Sequence, residues 1–174
     1  MTDEQEQVVL ISELDEVIGE AGKLDVHRTG QLHRAFSVVL LDDDGRVLLQ
    51  QRAASKYHSP GLWSNTCCGH PRPGEQTVDA AQRRLHEEMG IACDLVPSFT
   101  FVYRSELGHD LVEHELDHVF VGRTALTPRP NRMEVDAWRW IGIDDLRSWM
   151  DLQPRDFTVW FPAVMGKLLK DSIR

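Results

Sequence analysis

Cysteine is scarce in this 174-residue chain: Cys67, Cys68 and Cys93 form an odd set with one adjacent pair, so no disulfide framework holds the fold and the thiols read as reduced. Positive charge is short as well. Nineteen Lys and Arg stand against 28 Asp and Glu, a net charge of −9, and the average field therefore repels polyanions. A nucleic-acid partner is excluded on that ground, and any anionic substrate requires a local basic pocket. Long hydrophobic runs are missing too. None approaches the ~18 residues of a membrane span, so no membrane partner is expected. No Gly/Ser linker, low-complexity tract or repeat divides the sequence. At roughly 100–200 residues per domain, residues 1–174 are expected to form one domain. The first residues, Met1-Thr2-Asp3-Glu4-Gln5-Glu6-Gln7, are acidic where a targeting peptide is basic, and a cytoplasmic location is the expectation.

What is present is a mixed pattern. Val8-Val9-Leu10-Ile11 and Val17-Ile18 read as short strands, and Lys23 to Leu32 as a short helix plus loop. Arg34 to Leu41 and Arg46 to Arg52 are β-rich runs around Asp42-Asp43-Asp44-Gly45, which predicts a hairpin. Trp63 to His70 reads as extended. Thr77 to Met89 carries Val78, Ala81, Leu85 and Met89 at helical spacing, with Gly90 as a stop. Phe99–Arg104 and Leu111–Gly122 suggest an antiparallel pair and Glu134–Ile141 a last strand, with helices at Asp144–Met150 and Thr158–Ile173. The expected fold is α/β in the broad sense (α+β), a mixed sheet flanked by helices.

Chemistry-bearing residues fall within this frame. In a strand, Glu113 and Glu115 point to one face and His114 to the other. His27, His33 and His70 offer imidazoles that, with such carboxylates, suit a borderline cation such as Zn²⁺ or Mn²⁺. His58, His86, His109, His114 and His118 read as ordinary surface or core histidines. In an extended segment Cys68 shares a face with His70, which leaves Cys67 for the core. Arg52, Lys56, Arg83 and Arg84 are candidate phosphate contacts.

The most specific signal is longer. Gly69-His-Pro-Arg-Pro-Gly-Glu75, seven residues, then Arg83-Arg84-Leu85-His86-Glu87-Glu88-Met89-Gly90-Ile91 resembles the Nudix box, G-x5-E-x7-R-E-U-x-E-E-x-G-U, with U aliphatic. One fixed position departs from it. Arg84 stands where Nudix hydrolases carry the first glutamate of the metal-binding helix, one turn from Glu88, which replaces a metal ligand by a phosphate-binding cation. Together with Trp63-Ser-Asn-Thr-Cys-Cys-Gly-His-Pro71, Leu32-His-Arg-Ala-Phe-Ser37, Gln51-Arg-Ala-Ala-Ser-Lys56, Tyr103-Arg104, Glu113-His-Glu115 and Trp160, the chain from about Lys23 to Trp160 resembles the type 1 isopentenyl-diphosphate isomerases, a Nudix-fold family.

The resemblance implies a Nudix-like mixed sheet and interconversion of isopentenyl and dimethylallyl diphosphate through a carbocation-like intermediate. It implies Cys68 and Glu115 as acid/base residues, Tyr103 as the partner of Glu115, and Trp160 as the shield of the cation. It assigns one divalent ion, Mn²⁺ or Zn²⁺, to His27, His33, His70, Glu113 and Glu115. It assigns a Mg²⁺ to Glu88 and the Cys68 carbonyl, and the diphosphate to Lys23, Arg52, Lys56 and Arg84. Two other readings stand beside it: a Nudix pyrophosphohydrolase of nucleoside diphosphate derivatives, and a silent diphosphate-binding module. Glu75 and Glu87 occupy Nudix positions with a structural or a functional role open.

Overall fold

The sheet grows outward from one strand that is buried on both faces. The computed structural model describes residues 6–108 and 110–171. In it β3 (His33–Leu41) is almost wholly inaccessible, as its continuous apolar run requires. On one side it pairs in parallel with β8 (Leu111–Arg123) over nine residue pairs, from His33↔Glu115 to Leu41↔Arg123. It also pairs antiparallel with the three-residue β6 (Cys67–Gly69) through Phe36↔Gly69, Ser37↔Cys68 and Val38↔Cys67. β7 (Leu95–Gly108) continues the sheet as the antiparallel partner of β8. At the end of β3 nearest the site, β1 (Gln7–Ile11) touches His33 through Leu10 and is itself paired to β2 (Val17–Gly22).

The predicted hairpin opens out. β4 (Val47–Arg52) meets β3 only at Leu41↔Val47, just beyond the turn, and then diverges to pair with β9 (Val135–Ile141) and β5 (Trp63–Ser64). The turn residues were legible, but both strands are apolar on both faces and find longer partners elsewhere, β8 for β3 and β9 for β4. The extended stretch 63–70 is accordingly split between β5 and β6. The pair predicted at 99–104 and 111–122 forms, with longer strands and a tighter connection.

Helices cover both faces. α1 (Lys23–Thr29) is short and ends at Gly30. α2 (Thr77–Met89) has the predicted bounds and stops at Gly90 in the left-handed region, φ 65°. Its Ala81, Leu85 and Met89 pack on Phe36, Val38, Leu40 and Cys67, the even-numbered face of β3. The opposite face, carrying Val39, packs on Trp63, Phe157, Trp160 and the last helix, α4 (Phe161–Asp171), with α3 (Ile143–Leu152) alongside. The last helix starts later than predicted, because 154–156 form a 3-10 turn and Trp160 precedes the helix; residues 172 and 173 of that prediction, like His109, lie outside the described residues.

Gly90 is irreplaceable for two reasons. Its φ is positive, and an added Cβ would lie 2.8 Å from the Arg129 carbonyl oxygen, in a loop tied to the helix end by an Arg129 N–H to Met89 C=O bond of 2.7 Å. Gly90→Ala is expected to lower stability by about 1–3 kcal/mol. An unchanged urea midpoint would show that the loop yields instead.

Candidate active site and metal centre

The parallel register decides the site. His33 and Glu115 are direct neighbours across β3 and β8 and share a face, so the imidazole and the carboxylate converge without any loop having to deliver them. His33 Nε2 lies 3.4 Å from Glu115 Oε1, and His70, at the exit of β6, places Nε2 2.8 Å from the same oxygen. His27 comes from α1, its Nε2 3.4 Å from Glu113 Oε2. Glu113, Glu115 and Asp117 form a buried ladder on one face of β8, the period-two placement expected for the first two.

The donor chemistry of this cluster fits a metal. His27 donates Nδ1–H to the Lys23 carbonyl at 2.7 Å and His33 donates Nδ1–H to the Gln31 carbonyl at 3.0 Å. Both tautomers are thereby fixed with an unshared pair on Nε2 turned inward, the arrangement common to metal-binding imidazoles. His27 Nε2 and Glu113 Oε2 are buried and lack hydrogen-bond partners, a cost that a cation would remove. One donor atom each from His27, His33, His70 and Glu115 lie within 4.8 Å of one another, and His27, His58 and Glu113 form a second such set. Burial pushes His70 down to about 4, so it is neutral at physiological pH, as a ligand must be. Burial and the adjacent Glu115 charge push Glu113 up to about 7. Burial opposes ionisation of Glu115, yet its contacts with the His33 and His70 imidazoles outweigh it and hold that carboxyl well below its usual range.

Two groups on either side of the cluster can handle protons. Glu115 uses its other oxygen, Oε2, to accept a 2.6 Å hydrogen bond from the Tyr103 hydroxyl. Burial, reinforced by the nearby carboxylates, raises Tyr103 well above the usual phenol value, so it stays a donor. Cys68 lines the same cleft while Cys67 is wholly buried against α2, in agreement with the alternation expected from an extended segment. Burial pushes the Cys68 thiol up to about 12 and keeps it protonated. Trp160, nearly buried, closes the wall, its indole N–H donating to Ser64 Oγ at 3.0 Å and the Arg52 guanidinium 5.6 Å from its ring.

The cleft joins these groups to a polar end. Lys23, Arg52, Lys56, Arg84 and Glu88 line it together with Cys68, His70, Tyr103, Glu113, Glu115 and Trp160, whereas His27 and His33 lie buried behind. Arg84 Nη2 lies 2.6 Å from Glu88 Oε1, one helical turn away as the spacing required, and Gln50 Nε2 donates to Glu88 Oε2 at 3.0 Å. Arg83, which also lines the cleft, clasps Glu75 at 2.7 and 2.9 Å and approaches Glu87 at 3.3 Å. Glu75 also accepts from the Arg72 N–H and so ties the loop before α2 to that helix.

His58 corrects the sequence reading. Treated there as an ordinary histidine, it packs 5.9 Å from His27, ring to ring, places Nδ1 3.7 Å from Glu113 Oε1, and lines the cleft. Burial and the neighbouring cations drive it down to about 2, so it is neutral. No local spacing marks it, since the 53–62 loop delivers it. Asp117 was also missed, although the period of two reaches it; Ser37 Oγ donates to it at 2.7 Å, and burial raises its carboxyl well above the usual range. Glu6 and Glu134, which also line the cleft, had no sequence signal at all.

Comparison with known proteins follows the same lines. The NUDIX domain family matches residues 31–161. The chain is 54% identical over 163 residues to the isopentenyl-diphosphate Delta-isomerase of Burkholderia multivorans, covering 94% of this chain and 93% of that protein. It is 50% identical over 165 residues to isopentenyl-diphosphate Delta-isomerase 1 of Aromatoleum aromaticum, covering 95% and 93%. Among solved structures, DR0079 from Deinococcus radiodurans superposes with a TM-score of 0.71 at 21% identity, over 85% of this chain and 90% of that one. The MutT protein from Methanosarcina mazei Go1 gives 0.66 at 17%, over 82% and 96%. These two likenesses concern the fold.

The two cysteines differ in what their removal costs. Cys67→Ala empties a fully packed position and is expected to lose about 1–2 kcal/mol, whereas Cys68→Ala faces the cleft and should lose little. Urea unfolding of both variants checks this, and the reverse order would contradict the face assignment.

Proposed function

Because the chain belongs to the isopentenyl-diphosphate Delta-isomerases within the NUDIX domain family, we propose that it interconverts isopentenyl and dimethylallyl diphosphate. A proton is added to the double bond on one face of the substrate and another is removed from the allylic carbon. The observation that carries this reading is a protonated thiol and an ionised carboxylate, Cys68 and Glu115, lining one cleft with an indole. Adding a proton to an unactivated alkene leaves a tertiary cation, and a site for it must supply an acid, a base, a π face and protection from water. Cys68 holds the proton in the form needed to give it, and Glu115 is ionised and able to accept one. Tyr103 donates to Glu115 Oε2 and holds that carboxylate in place. Trp160 offers a ring whose quadrupole attracts positive charge and which is too weak a base to take the cation's proton.

At the polar end Lys23, Arg52, Lys56 and Arg84 form the diphosphate clamp, the local positive field that a chain of net charge −9 needs. Mn²⁺ or Zn²⁺ held by His27, His33, His70, Glu113 and Glu115 would orient Glu115 and temper its basicity, and Mg²⁺ at Glu88 and the Cys68 carbonyl would offset diphosphate charge. Both Glu88 oxygens accept hydrogen bonds, one from Gln50 and one from Arg84. The reading includes a cytoplasmic enzyme with a small-molecule substrate and neither nucleic acid nor membrane as partner; no described helix is long and apolar enough to cross a membrane. Pyrophosphate hydrolysis is disfavoured by Arg84, which puts a cation where the hydrolase pattern has a carboxylate.

Cys68→Ala and Glu115→Gln are each expected to reduce turnover by at least roughly 10²–10⁴-fold, while Cys67→Ala stays active. Steady-state isomerisation, with circular dichroism showing each variant folded, measures this; a folded, fully active Cys68→Ala would remove the thiol from the chemistry. Elemental analysis of the purified protein is expected to find about one Mn²⁺ or Zn²⁺ per chain, lost in His70→Ala. A metal-free wild type, or full retention in His70→Ala, would contradict the ligand set.

A further inference from the structure

Three of the four clamp cations, Lys23, Lys56 and Arg84, are already paired with the chain's own carboxylates, and Arg52 donates to the His58 carbonyl. Lys23 Nζ lies 2.7 Å from Glu6 Oε2 and Lys56 Nζ lies 2.7 Å from Glu134 Oε2, while Arg84 Nη2 approaches Glu134 Oε1 at 3.1 Å. Glu6 precedes β1 and Glu134 precedes β9, so the two arrive from distant parts of the sequence, yet both side chains line the same cleft. Glu134 uses its two oxygens on two different cations, the way a phosphate group would. Both carboxyls are held below their usual range: burial opposes this, and the neighbouring cations outweigh it.

Neither main chain depends on these side-chain contacts. The Glu134 N–H donates to the Asn131 carbonyl and its own carbonyl accepts from Ala53 N–H, both at 2.9 Å; the Glu6 carbonyl accepts from Lys23 N–H at 2.9 Å. Each side chain also retains 22% exposure, an open path to solvent. A rotamer change alone would therefore release Lys23 and Lys56, while Arg84 would lose its third carboxylate and keep Glu87 at 2.8 Å and Glu88 at 2.6 Å.

We infer that Glu6 and Glu134 are internal stand-ins for the diphosphate, neutralising Lys23 and Lys56 and sharing Arg84 with Glu87 and Glu88 in the free protein, and displaced when substrate binds. The inference rests on the reading of those cations as the diphosphate clamp. Paired in this way, a dense group of partly buried cations avoids mutual repulsion. The pairing also selects the ligand. An anion must outcompete two carboxylates, which a diphosphate carrying several charges can do and a monophosphate does poorly, so Glu6 and Glu134 determine specificity by competing for the clamp.

The test measures dissociation constants of inorganic pyrophosphate and orthophosphate in saturating Mg²⁺ for wild type, Glu6→Gln, Glu134→Gln and Lys56→Ala. Glutamine keeps the shape and removes the charge. Each glutamine variant is expected to bind pyrophosphate roughly three- to tenfold more tightly, to gain proportionally more for orthophosphate, and to show less gain at high salt. Lys56→Ala is expected to weaken pyrophosphate binding. If Lys56→Ala binds normally, the clamp reading itself fails. If Lys56→Ala weakens binding while both glutamine variants bind no more tightly than wild type, the carboxylates organise the clamp instead of competing for it, and the inference is overturned. Should Glu134→Gln prove unfolded by circular dichroism, Glu6→Gln decides alone.

Discussion

The parallel pairing of β3 with β8 is the constraint on which the site depends. Its register sets His33 beside Glu115, and the strand period then carries Glu113 and Asp117 onto the same buried face. A slip of one residue would turn those acids toward the opposite face of the sheet, against the apolar packing of α2. The register is itself held by hydrophobic burial on both faces, since Phe36, Val38 and Leu40 fill the space beneath α2 while Val39 and Val119 meet α4. Core packing and site geometry are thus one specification. Cysteine placement follows from the same sheet: β6 pairs Cys68 with Ser37 and Cys67 with Val38, so the cleft receives the first thiol and the core the second.

Burial at this site is costly, and the way the cost is met explains its chemistry. Four imidazoles and three acids lie close together at low exposure, which would be ruinous if each carried its ordinary charge. The environment sorts them. His70 and His58 stay neutral, the carboxyls of Glu113 and Asp117 are raised, and Glu115 alone of the three acids is held below its usual range. A carboxylate held ionised by its imidazole neighbours and a thiol kept neutral by burial line one cleft and are pushed in opposite directions, as acid/base work on a carbon skeleton requires.

Much of this was legible in the sequence, and the parts that were not share a cause. The α2 bounds, the face of Cys68 and the convergence of Glu113 with Glu115 all follow from local periodicity, which a sequence displays directly. The hairpin at 34–52 forms its two strands and its turn but pairs them only next to the turn, because a turn fixes where two strands meet while long-range partners decide where they go. His58 escaped because it sits on a loop between strands, where no period applies, and Glu6 and Glu134 because their partners are 17, 78 and 50 residues away. Arg84 is the instructive middle case: its departure from the Nudix pattern was visible at once, and its meaning required seeing it beside Lys56, Glu88 and Glu134 in one cleft.

The central claim is that these groups move protons on carbon and leave the diphosphate intact. It is tested most directly by incubating the protein with isopentenyl diphosphate in deuterated water and following carbon-bound deuterium alongside free phosphate and pyrophosphate. The account predicts deuterium in both isopentenyl and dimethylallyl diphosphate with no phosphate release. Phosphate release without deuterium uptake, from a folded and metal-loaded protein, would contradict it.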